Sequence, residues 1–67
     1  MDYVRLGKLA RARRLELKLT QEKVAEKMKV SVAYYGHIER GTRVLSVDTL
    51  YRLCLVLGVS ADWLMGI

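Results

Sequence analysis

Three residues, Lys29-Val30-Ser31, are all that separates two short runs with the periodicity of amphipathic helices. The first run carries Val24, Ala25 and Met28 on one stripe, and the second carries Tyr35 and Ile38. Two short helices joined this tightly, with Val30 turned inward at the corner, read as a helix-turn-helix unit. The rest of the chain then has to cover the apolar stripes of that corner.

The flanking segments have clear helix punctuation. Thr20, Ser31, Ser46 and Ser60 each precede a helix-like run and suit the N-cap, where a side-chain oxygen accepts from a free amide. Gly41 and Gly58 suit the left-handed position after a helix end. With no Pro and abundant Leu, Ala, Lys, Arg and Glu, this predicts an all-α fold of five helices, at about 3–17, 21–28, 32–39, 47–57 and 61–65. Strand signals are weak: Val44-Leu45 is too short, and 53–57 follows a capped helical start. Leu6, Leu9, Ala10 and Leu17 are expected to pack on the corner, with Leu50, Leu53, Cys54, Leu57, Trp63 and Leu64 closing the core. Sixty-seven residues predict a single domain, 1–67, and an apolar content of 52% is enough to give it a core.

Charge divides the chain. Residues 1–43 hold eleven Lys/Arg against five Asp/Glu, whereas 44–67 hold Arg52 against Asp48 and Asp62. A basic end suits a polyanion, and an apolar, near-neutral end suits another protein surface. One Cys and one His give no structural zinc set and no internal disulfide, so a reducing cytoplasmic setting is expected. No apolar run reaches the ~18 residues of a membrane span, so no membrane partner is expected. No cofactor or small-molecule ligand is evident. No catalytic set is expected either: His37 and Cys54 fall on different helices, and Cys54 sits on an apolar stripe without a base.

The caps differ in one respect. Thr20, Ser46 and Ser60 are followed two residues later by Glu22, Asp48 and Asp62, which favours the helix dipole. Ser31 is followed by Val32 and Ala33. A helix whose N-terminus approaches DNA has reason to carry no carboxylate there.

These residues resemble a known family. Thr20-Gln21-Glu22-Lys23-Val24-Ala25 leading to Val30-Ser31, then Ile38-Glu39-Arg40-Gly41, Ser46 to Leu50, and Leu57-Gly58-Val59-Ser60 are similar to the lambdoid phage repressor and Cro family, also called Xre. The resemblance runs from about Leu6 to Leu64. It implies a five-helix lambda-repressor-like domain, binding of double-stranded DNA, transcriptional regulation and a homodimer, with repression on a two-fold operator as the expected action. By the same resemblance, Val32, Ala33, Gly36 and His37 face base edges. Gln21, Tyr34, Arg40 and Arg43 serve phosphates. Arg14 and Glu39 pair the first helix with the third. Leu45, Leu50, Ala61 and Trp63 belong to a dimer interface. The alternative is a protein-interaction module, such as an anti-repressor or antitoxin, that uses the same fold.

This chain departs from the family at several positions. Lys18 and Lys29 stand where the family often has Gly, so either they adopt positive φ or the turns differ. Among the four base-facing positions only His37 has a polar side chain, which predicts modest direct readout. Gly36, inside a helix, costs roughly 1 kcal/mol relative to Ala and points to a close approach there.

Overall fold

The computed structural model describes residues 1–67, and it contains five helices and no strand. These are α1 (Tyr3–Glu16), α2 (Gln21–Met28), α3 (Val32–Arg40), α4 (Val47–Leu57) and α5 (Ala61–Met65). Three match the predicted bounds. α1 stops at Glu16 because Leu17 is its cap, and α3 runs on to Arg40 until Gly41 turns left-handed.

Each helix begins with the same bond. The side chains of Thr20, Ser31, Ser46 and Ser60 accept from the amide three residues on, and Asp2 does the same for α1 through Arg5. α1 therefore also lacks a first-turn acid, its carboxylate being the cap itself, so α3 is not alone in that respect.

The turns resolve the question raised by the two lysines. Lys18 and Lys29 both adopt left-handed backbone, with φ of 59° and 61°. At the α2 end the Lys29 amide donates to the Glu26 carbonyl and the Val30 amide to the Ala25 carbonyl, which closes a Schellman-type turn. That turn delivers Ser31 as the cap of α3.

Leu6, Ala10, Val24, Ala25, Met28, Tyr35, Ile38, Leu53, Leu57 and Leu64 form one buried core. Leu9, Val30, Leu50 and Cys54 pack against it half-buried. Two expected core members lie outside. Leu17 is exposed because it stands beyond the last turn of α1, and Trp63 is 41% exposed on the outer side of α5. α1 crosses α3 at Gly7, where an added Cβ would run into the Ile38 and Glu39 carbonyls. Any side chain at Gly7 would push the two helices apart.

Two arginines bind carbonyls at helix C-terminal ends. Arg13 on α1 donates to Leu57 at the end of α4, and Arg52 on α4 donates to Met28 at the end of α2. Each satisfies an otherwise free carbonyl and places a cation at the negative end of a helix.

Candidate nucleic-acid interface

α3 has two sides. Tyr35, Ile38 and Glu39 are buried against the domain, while Val32, Ala33 and Arg40 are exposed and His37 is half-exposed. Ser31 caps the helix by accepting from the Tyr34 amide, so the Val32 and Ala33 amides have no intrahelical acceptor. With no acid in the first turn, that end presents donors and positive potential.

The neighbouring α2 begins in the same way. Thr20 accepts from the Lys23 amide, leaving the first amides of α2 free beside the Gln21 side chain. Gln21 is half-buried, and its Nε2 donates to Glu39 Oε1 at 2.9 Å. An amide nitrogen carries two hydrogens, so one remains for an anion outside.

Glu39 is the hub of this corner. Arg14 Nε donates to Glu39 Oε2 at 2.6 Å and Arg14 Nη2 to Oε1 at 3.2 Å, a two-pronged pair joining α1 to α3. Arg14 Nη1 also holds the Leu19 carbonyl at 2.9 Å. Burial pushes the Glu39 carboxyl up, but hydrogen bonds from Arg14 and Gln21 outweigh it and hold the group below its ordinary value. The hydrogen bond to Glu39 likewise raises Arg14. The Tyr35 hydroxyl is buried close by without a well-formed hydrogen bond, and burial raises its pKa.

His37 has a fixed neighbour. Its Nδ1 lies 2.7 Å from the Thr42 hydroxyl, just past the end of α3. With Nδ1 engaged, Nε2 is the ring nitrogen left for an outside group. From sequence Thr42 begins the segment to Leu50 expected in a two-fold interface, and its pairing with His37 is not foreseen. The pair spans five positions across a helix cap, a spacing that no periodic pattern marks.

Gly36 is buried. The Arg40 guanidinium lies over it, with Nη1 3.1 Å from where a Cβ would stand. Arg40 takes part in none of the chain's ion pairs or side-chain hydrogen bonds. Tyr34 is half-buried against the core edge. Arg43, beyond the α3 cap, is exposed.

At the opposite end, α4 and α5 enclose a shallow apolar depression of ≈ 570 Å³. Leu50 and Ala61 line it together with Val47, Tyr51, Cys54 and Leu55. Leu45 packs on the core edge and Trp63 is exposed on α5, and neither lines the depression. Sequence reading missed Tyr51 and Leu55. Val47, Tyr51 and Leu55 recur every fourth residue on the outer side of α4 and are 86%, 62% and 63% exposed. Burial raises the Cys54 thiol and disfavours thiolate, which argues against a nucleophilic role.

Residues 9–64 match the profile of a helix-turn-helix family. The chain is similar to the restriction-modification controller protein C.AhdI from Aeromonas hydrophila. Identity is 30% and the TM-score is 0.88, covering 94% of this chain and 96% of that one. It is also similar to two structures of the clp gene regulator ClgR from Corynebacterium glutamicum. Both are 29% identical over 97% of this chain, with TM-scores of 0.87 and 0.90 and coverage of 84% and 69% of the ClgR chains. No curated protein matches the chain.

Proposed function

The chain belongs to the helix-turn-helix family, of the Xre and lambda-repressor type, and from that premise we propose that it binds double-stranded DNA sequence-specifically and regulates transcription as a repressor. The observation that carries this reading is the two-sided burial of α3. Its inner side is locked into the core, its outer side and N-terminus are open, and the N-terminus of α2 lies beside its last turn, where Gln21 donates to Glu39. A helix presented in this way fits the major groove, with two helix N-termini available to backbone phosphates. Gln21 and Arg43 serve as phosphate contacts. Val32 and Ala33 offer apolar contact to thymine methyls, and His37 offers Nε2 to a base edge. C.AhdI is a controller of restriction-modification and ClgR a regulator of clp genes, and both descriptions agree with this role.

The α4–α5 end serves self-association. Its exposed apolar stripe and depression fit a second copy of the chain, which would set two α3 helices about 34 Å apart, one turn of DNA. A salt titration on random duplex DNA tests the first half of the proposal. Affinity should fall steeply with salt, and a flat response favours the protein-interaction reading. Sedimentation on a selected operator tests the second half. Two chains per site are expected, and one chain per site removes the dimer.

A further inference from the structure

The structure leaves one side chain without a role that fits its position. Arg40 was expected beside the base-facing side of α3, yet its direction is that of the side's centre. At about 100° per residue, with Val32 as origin, Gly36 falls at about 40°, Ala33 at about 100° and His37 at about 140°. Arg40 falls at about 80°, between Gly36 and Ala33. Of the buried residues, Ile38 and Tyr35 fall at about 240° and 300°, away from it, and Glu39 at about 340°, at the edge beside Val32.

Its position along the axis agrees. Helical side chains lean toward the N-terminus, so a residue covers the surface one turn before its own Cα. The Arg40 guanidinium does this, with Nη1, Nη2 and Cζ at 3.1, 3.5 and 3.7 Å from the Cβ position of Gly36. A Cβ at residue 36 would stand 3.1 Å from Nη1 and press the guanidinium outward. Gly36 is thus the gap that lets the guanidinium lie along the outer side of α3, one turn nearer the groove than its backbone.

We propose that Arg40 reads guanine in the major groove, using the gap at Gly36, and is not a phosphate contact; this rests on the DNA-binding reading above. The guanidinium has five donors in a planar fork and no partner within the chain, so both prongs are free for the O6 and N7 acceptors of one guanine. The base-facing set then no longer lacks an arginine, because one arrives from the following turn.

The test uses three chains: the parent, Arg40→Lys and Gly36→Ala. Sites are selected from a random duplex library with the parent, and affinities are measured on the selected site, on that site with the guanine replaced, and on random duplex. A lysine preserves the charge and still binds a phosphate as a point charge, but it cannot form the fork. Arg40→Lys should reduce the preference for guanine at one position per half-site about tenfold. Its affinity for random duplex and its salt slope should stay within about twofold of the parent. Gly36→Ala should cause a smaller loss of preference by nudging the guanidinium off its resting place, without a fall in melting temperature, since Ala favours helix. The proposal is overturned if Arg40→Lys keeps the full guanine preference, or if it weakens cognate and random duplex equally. Failure of the parent to bind any duplex overturns the DNA-binding reading itself, and this inference with it.

Discussion

Gln21, the first residue of α2, donates to Glu39, in the last turn of α3, across 2.9 Å. The same carboxylate accepts two bonds from Arg14 on α1. One buried acid therefore fixes three helices at the corner where the proposed DNA surface begins. The amide proposed to meet a phosphate is held in place before any ligand arrives, which reduces the ordering cost of binding.

The Arg14–Glu39 pair should be a point of failure for the fold. Its side chains are only 10% and 4% exposed, so removing one partner strands a charge in the interior. Arg14→Ala should cost about 3–5 kcal/mol, much of what holds a small domain together. A double change, Arg14→Met with Glu39→Leu, should recover most of that loss, because it removes both charges. Thermal melts of the single and double variants decide the matter. A single variant melting within a few degrees of the parent would contradict the pairing.

Acid should expose the same group. The folded Glu39 pKa lies below its unfolded value, so its stabilisation is complete above the unfolded value, about 4.3 for a free Glu. That contribution is lost as pH falls through the lower folded value. Denaturant midpoints should be nearly flat from about pH 5 to 7 and fall below about pH 4. Glu39→Gln should be less stable than the parent at neutral pH, and the difference should narrow in acid. A constant difference across the range would mean that another carboxylate controls the acid limb.

His37 and Thr42 should behave as a unit. The Thr42 hydroxyl holds Nδ1 at 2.7 Å and so sets which way Nε2 points. His37→Ala should cost roughly 1–3 kcal/mol on the selected site and little on random duplex. Thr42→Val should relax preference at the same base pair, more weakly, with the His37 contact retained. If Thr42→Val instead alters preference at a different position, the two residues act separately. Competition titrations against single-base variants of the site resolve this.

Lys29→Gly should stabilise the domain. A lysine at φ 61° carries a left-handed penalty of roughly 1–2 kcal/mol, which Gly avoids at some entropic cost in the unfolded chain. The net gain should be about 0.5–1 kcal/mol, or several degrees in Tm. A lower Tm would show that the lysine side chain contributes more than its backbone costs.

The hydroxyl caps were legible because they are local: the side chain of Thr20, Ser31, Ser46 or Ser60 acts on an amide three residues away. Tyr35 and Ile38 followed from helical period. Gly7 was not legible, because its need for no side chain comes from carbonyls on a helix more than thirty positions away. Trp63 was misleading as a core residue, since a five-residue helix has room for one inward position and Leu64 takes it. Arg40 was read as a flanking cation because sequence gives its angle but not the Gly36 gap that its side chain fills. The outer stripe of α4 was missed because the inner stripe already accounted for the helix.

The contact of α1 with α3 at Gly7 has a mechanical consequence. At that crossing the backbones nearly touch, at the Ile38 and Glu39 carbonyls, and just beyond it the α3 cap Gly41 comes about as close to the Val4 backbone. The C-terminal end of α3 is thus held against α1 with no soft side-chain layer between, and that end has little room to slide. On the proposed duplex the protein acts as a stiff template, and the compliance must come from the DNA. Sequences that bend or twist readily toward the template would then bind more tightly than rigid ones carrying the same contacted bases.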